Sequence, residues 1–314
     1  MKNKPSSVKR FIWMLVFLVF TLGVLPACST TKDAFVHKDR LHVTATIGMI
    51  ADVAKEVGGD RVEVIGLMGP GVDPHLYKAS QGDIAKLEDA KVILYGGLHL
   101  EGKMTEIFEK MSKKRTVVAV TRDIPEGKLH EVGGGAHDPH VWFDVRLWMS
   151  ATETIRDTLA SEDSDHADEY RARAETYLGK LKELDDYARS QIATIPKEGR
   201  VMVTAHDAFG YFGSAYDIEV VGLQGISTAA EYGSKDVTSL RDMLVERKIK
   251  AVFVESSVPK KSIEAVIEGA KKQGHEVKIG GELFSDAMGK AGTPEGTYIG
   301  MVRHNVDTIV NALK

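Results

Sequence analysis

Apolar residues along the chain begin as one unbroken run and then settle into two shorter rhythms. Phe11 to Pro26 is continuous and apolar, behind Lys2, Lys4, Lys9 and Arg10. Beyond residue 40 come short β-rich runs: LHVTATI (41–47), VEVIGL (62–67), KVILY (91–95) and TVVAV (116–120). Helical patterns over 49–57, 81–87 and 102–111 lie between them. Strands separated by helices of this length predict βαβ units and a mostly parallel sheet. Residues 164–195 then place Tyr170, Ala174, Tyr177, Leu178, Leu181, Leu184, Tyr187 and Ala188 at helical spacing, with Pro196 just beyond. That predicts one long helix whose aromatic residues pack rather than bind. A second alternation follows, VMVT (201–204), IEVV (218–221), AVFV (251–254) and VKI (277–279), with helices around 236–246, 260–272 and 299–312. The predicted fold is α/β, with two lobes, each a mostly parallel sheet flanked by helices, joined by one long rigid backbone helix. The expected divisions are a signal peptide over 1–27, a tether over 28–39, an N-terminal lobe over 40–163, the connecting helix over 164–195 and a C-terminal lobe over 196–314.

The opening run changes the compartment. It is short for a spanning helix and is followed at once by small and polar residues, so it reads as an export signal. Its end, Leu25-Pro26-Ala27-Cys28, resembles a bacterial lipobox, which implies cleavage before Cys28 and acylation of its sulfur. Cys28 is the only cysteine, so no internal disulfide can form even in an oxidising compartment. Stability must come from the core. The 41 Lys and Arg against 45 Asp and Glu give −4, and the leader holds four of the basic residues and no acid, leaving 37 against 45, or −8. No basic block survives maturation, which argues against nucleic acid as a partner. A mildly acidic exported chain suits a cationic ligand.

Four polar positions stand in apolar company. GPGVDPHLY (69–77) and HDPHVWFDV (137–145) share the unit Asp-Pro-His, each time after glycine-rich sequence. Proline fixes its own backbone and restricts the residue before it, so His75 and His140 are presented on stiff loops. His206 leaves the VMVT strand at its C-terminal end, where ligands of open α/β sheets gather. Asp286, in LFSDAMG (283–289), puts a carboxylate among apolar and small residues after the last strand. Three imidazoles and a carboxylate make an N3O set suited to zinc and other borderline divalent ions, two donors from each lobe. Each has a plainer reading: His75 and His140 as caps of following helices, His206 as a buried histidine satisfied by backbone, Asp286 as the cap of a helix from Ala287. His137 precedes its rigid turn and is the weaker candidate beside His140. Glu231 and Glu255 are read as solvated loop residues rather than as partners of a histidine.

Beyond these four positions, TIGMIADV, GLMGPGVDPHLYKAS, ILYGGLHLEGKM, DPHVWFDVRLW, VTAHDAFGYF, GLQGISTAAE, FVESSVP, GGELFSDAMG and GTYIGMVRHN run from about residue 41 to the C-terminus. With these motifs the chain resembles the metal-binding lipoproteins, the solute-binding proteins of bacterial zinc and manganese ABC importers. The resemblance implies two α/β lobes, a long backbone helix and one divalent ion, Zn²⁺ or Mn²⁺, buried between the lobes as cargo, with no catalytic cofactor. It implies His75, His140, His206 and Asp286 as the metal ligands, with His137 outside the set. It further implies a lipid-anchored monomer on the outer face of the bacterial cytoplasmic membrane that delivers the ion to an ABC permease with its ATPase. Zinc-only relatives often carry a long His- and acid-rich loop before the second ligand; here EGKLHEVGGGAHD is short and holds only His130 and His137. Two other readings are a surface adhesin and an extracytoplasmic metallohydrolase. The latter requires an open coordination position and a base, and the chain contains no HExxH.

Overall fold

Strand β1 (Leu41–Ala45) is flanked on both edges in a four-stranded parallel sheet. Its neighbours are β2 (Val62–Gly66) and β3 (Val92–Tyr95), with β4 (Thr116–Ala119) beyond β3, in the order β2-β1-β3-β4. Val43, Thr44 and Ala45 are all fully buried, as expected of a central parallel strand covered on both faces. The crossovers are α1 (Gly48–Gly58), α2 (Gln81–Asp89) and α3 (Thr105–Met111). Ser80 and Asp83 close a capping box at the start of α2. This computed structural model describes residues 34–314, so the signal peptide, Cys28 and the first part of the tether lie outside the described residues.

A short antiparallel hairpin follows, β5 (Glu131–Gly133) and β6 (Ala136–His137), turned by three glycines at positive φ. Helix α4 (Val145–Glu162) leads to the long helix α5 (Ala167–Ile192), whose 26 residues span about 39 Å. Tyr170, Ala174, Tyr177, Leu181, Leu184 and Ala188 form its buried stripe. Asp185 is buried with Arg146 and Arg189 on its carboxylate, which ties α4 to α5.

The second lobe contains β7 (Val201–His206), α6 (Gly210–Tyr216), β8 (Glu219–Gln224), α7 (Ser234–Glu246), β9 (Ala251–Glu255), α8 (Lys261–Lys272), β10 (Lys278–Leu283) and α9 (Tyr298–Leu313). β7 pairs with β8, and β9 with β10, both in parallel. β7 lies alongside β9, so the predicted sheet is present as two ladders side by side. At the end of that seam the His206 N–H is taken by the Glu255 carboxylate, 2.9 Å away, instead of by a strand carbonyl.

Two local expectations differ. Residues 34–37 do not hang free. The Ala34 N–H donates to Asp89, those of Val36 and His37 donate to Glu63, and Phe35 is buried with its ring stacked on His42. The stretch between β6 and the long helix also holds a helix, α4 (Val145–Glu162), that the apolar pattern does not single out.

Candidate metal centre

The two Asp-Pro-His units fold the same way. Asp73 Oδ1 accepts the His75 N–H at 2.8 Å, and Asp138 Oδ1 accepts the His140 N–H at 2.9 Å. In each, the aspartate closes an Asx turn across a proline that has no N–H of its own to compete. Asp138 Oδ1 also lies 2.7 Å from His140 Nδ1, so one carboxylate fixes both backbone and ring. His206 is the last residue of β7, and Glu255 is the last of β9. Glu255 receives the His206 N–H on one oxygen and lies 2.5 Å from His206 Nδ1 with the other. Asp286 sits in the irregular segment after β10, where its N–H points at Ser257 Oγ, 3.4 Å away.

These four side chains converge. One donor atom from each of His75, His140, His206 and Asp286 lies within 4.8 Å of the others. His75 is 5% exposed, Asp286 1%, and the other two 0%. His75 Nε2 and His140 Nε2 are 3.3 Å apart. Asp286 Oδ1 is 3.3 Å from His140 Nε2, and Oδ2 is 3.4 Å from His206 Nε2. A tetrahedral ion with bonds of about 2.0–2.1 Å separates its ligand atoms by about 3.3–3.4 Å. The three short separations match those of a coordination shell, and all four donors stay within 4.8 Å of one another.

Its polar atoms carry the same message. His206 Nε2 and both Asp286 oxygens are buried without a hydrogen-bond partner. Orphaned buried polar atoms are costly, at about 1–3 kcal/mol each. With Nδ1 of His140 and His206 committed to carboxylates, Nε2 of each is the atom left to hold a metal or a proton. Burial works against a charged imidazole at His140, but Asp138 and Asp286 outweigh it and push its pKa up to about 9. Burial likewise opposes His206⁺, and Asp286 and Glu255 hold it well above the usual histidine range. At His75 burial dominates, reinforced by His140 and His206, and the pKa falls to about 4 despite Asp286. The Asp286 carboxylate is held ionised against burial by His206 and His140. A divalent ion with three neutral imidazoles and Asp286 totals about +1, and the Asp138 and Glu255 carboxylates behind the rings offset the cost of burying it.

The plainer readings fit less well. His140 precedes a short 3-10 turn, and Asp144 caps α4 with its side chain on the Arg146 N–H. Helix α2 is capped by Ser80, not His75, and no helix begins at Ala287. His137 belongs to β6 and lines a separate cavity of about 600 Å³, shared with His99 and Glu101, that none of the four lines. Glu231 is exposed. Glu255 corrects the expectation of a solvated residue: it is 1% exposed and grips His206. Asp138 was not singled out either. Its signal was the repeated Asp-Pro-His unit, and that of Glu255 was an acid closing the apolar run AVFVE.

Comparison with known proteins shows the family of the chain. Residues 43–312 match the family described as ZnuA, zinc-uptake complex component A periplasmic. The chain is 52% identical over 302 residues to the manganese-binding lipoprotein MntA of Bacillus subtilis, covering 96% of this chain and 99% of the relative. It is 49% identical to the zinc-binding protein TroA of Treponema pallidum, covering 94% of this chain and 96% of the relative. The solved structure of that periplasmic protein superposes with a TM-score of 0.86 at 50% identity, over 87% of this chain and 99% of that one. An iron ABC transporter substrate-binding lipoprotein, MtsA of Streptococcus pyogenes, is 31% identical over 99% of both chains.

Proposed function

Because the chain belongs to the periplasmic zinc-uptake component A family, a family of binding proteins rather than enzymes, we propose that it captures one divalent metal ion between its lobes and hands it to an ABC permease with its ATPase. The ligands are His75, His140, His206 and Asp286. The observation that supports this is the convergence of four buried donors within 4.8 Å of one another, with three of their atoms otherwise unpartnered. The ion is cargo, Zn²⁺ or Mn²⁺. Relatives of this chain are named for zinc, manganese and iron, and an N3O set by itself favours zinc over manganese. The lobes are taken as 40–163 and 196–314, with 164–195 joining them.

Elemental analysis of protein purified without added metal, followed by zinc and manganese competition, tests the reading. One ion per folded chain is expected, with loss of that ion in Asp286→Ala. More than one tightly held ion, or an undiminished ion in that variant, counts against it. We further place the mature chain, as a monomer, on the outer face of the cytoplasmic membrane through acylated Cys28, supported by the lipobox-like LPAC and by relatives named lipoproteins. Cys28→Ser should move the protein into the soluble fraction; an unchanged membrane fraction and mass would remove the anchor.

A further inference from the structure

Buried hydrogen bonds hold the loop of His140 and the ring of His206, whereas the loop of His75 has a single hydrogen bond to the second lobe. Around His140, the Tyr211 hydroxyl donates to the Asp138 carbonyl at 2.9 Å, and Trp142 Nε1 donates to the Ser285 carbonyl at 3.1 Å. The Tyr298 hydroxyl donates to the Trp142 carbonyl at 2.7 Å. The His140 loop is thereby sewn to the second lobe and to the residue next to Asp286. His206 is fixed from behind by Glu255. The 67–80 segment that presents His75 is different. Among the described residues, one hydrogen bond joins it to the second lobe, from Thr228 Oγ1 to Asp73 Oδ2 at 2.5 Å. The other oxygen of Asp73 takes the His75 N–H. Thr228 lies in the stretch between β8 and α7, and that stretch is folded over one side chain. Gln224 Nε2 donates to the carbonyls of Thr228 and Ala230 at 2.7 and 2.5 Å. His75 is also the least buried of the four, and Leu76 beside it is 46% exposed.

We propose that Thr228 is a positioning residue for His75: through Asp73 it latches the His75 loop across the cleft, and the ion enters and leaves past this loop, with His75 the first ligand to let go. This rests on the four-ligand metal site proposed above. A hydroxyl on a carboxylate is a charge-assisted bond and is stronger than a neutral one. Losing it frees the Asx turn that aims His75 while leaving three ligands in place, so release accelerates more than stoichiometry falls.

The test is the rate of zinc release from the full mature chain into an excess of a chromogenic chelator by stopped flow. Thr228→Val removes the hydroxyl and keeps the shape. Thr228→Ser restores the hydroxyl, and Asp73→Ala cuts the same link from the other side. Thr228→Val should still hold one zinc per chain and release it on the order of tenfold faster, while Thr228→Ser keeps the wild-type rate. The Thr228→Val, Asp73→Ala double variant should release no faster than Asp73→Ala alone, because both remove one coupled interaction. A zinc-loaded Thr228→Val chain that releases at the wild-type rate overturns the latch, as do effects that multiply in the double variant. If the valine variant does not fold, an unaccelerated Asp73→Ala overturns it equally. A wild-type chain that binds no zinc is a separate result: it overturns the metal assignment, and the latch with it.

Discussion

At His206 the donor nitrogen faces Asp286 while the opposite nitrogen is gripped by Glu255, so its chemistry cannot be changed alone. A carboxylate in its place would meet Glu255 directly, and two buried carboxylates cannot both ionise cheaply. Pairing His206→Glu with Glu255→Gln supplies an amide donor instead. The double variant is expected to fold and to lower the zinc-to-manganese affinity ratio, because an oxygen donor with an added negative charge is harder. Competition titration reads the ratio and circular dichroism the fold; an unchanged ratio in a folded variant removes His206 from the ligand set. Protons give an independent reading. With the pKa of His140 pushed up to about 9 and His206 held above its usual range, both carry a proton in the ion-free protein at pH 7, whereas His75, near 4, does not. An arriving ion must displace both, so about two protons leave per ion at pH 7. Affinity then climbs with pH toward about 9. Calorimetry in buffers of different ionisation enthalpy counts those protons, and none released would contradict the assignment. For stability, His140, whose folded pKa lies above the usual 6.5, stabilises the ion-free fold fully below 6.5 and loses that contribution as pH rises through about 9. The four side chains that converge were legible in the sequence because stiff turns and strand ends leave local signatures. Glu255 was not, because its meaning comes from β9 lying beside β7, a proximity that no local pattern encodes.

Strands and amphipathic helices were legible for a similar reason: each predicted run carries its own period, and the structure keeps all eight within a few residues. Helix α4 escaped because VRLWMSATETIRDTLASE is rich in threonine, a weak helix former. The buried hydroxyls of Thr152, Thr154 and Thr158 turn back onto the carbonyls of Trp148, Ser150 and Thr154, four residues earlier, which satisfies them inside the helix. Its packing on α5 supplies the rest. The hairpin β5–β6 and the short α6 were missed because two or three residues, or a helix with two glycines, show no period. The long helix is the element on which both lobes lean, and Leu181 in its buried stripe is fully enclosed. Leu181→Ala leaves a cavity there and should cost about 2–5 kcal/mol, lowering Tm by on the order of 10 °C. The variant should still bind one ion per chain, since no ligand is touched. A loss below about 1 kcal/mol in a chemical melt would show that α5 is a passive spacer.

Across the whole molecule, the apolar core does not stop at the boundary between lobes. One buried cluster includes Val43 and Met49 of the first lobe, Leu181 of the long helix, Phe209, Phe253 and Leu283 of the second lobe and Val306 of the last helix. The Tyr298 N–H at the start of α9 donates to the Asp52 carboxylate of α1 at 2.9 Å, a further tie across the lobes. A wide hinge would have to tear this core open, exposing apolar surface at about 25 cal/mol for each Å². One bound ion supplies far too little differential energy for that unless it binds the two states with very different affinities. The ion should therefore leave the overall shape almost unchanged. For about 280 residues the radius of gyration is about 19 Å, and small-angle scattering with and without zinc should differ by less than about 0.5 Å, well within that scale. Hydrogen exchange should instead show the change as local, with protection gained mainly over 67–80 and 225–233, where the His75 loop meets Thr228. Protection that rises evenly over both lobes together with a contraction of more than about 1 Å against that radius would mean that the lobes close as bodies and that the shared core is no barrier to hinging.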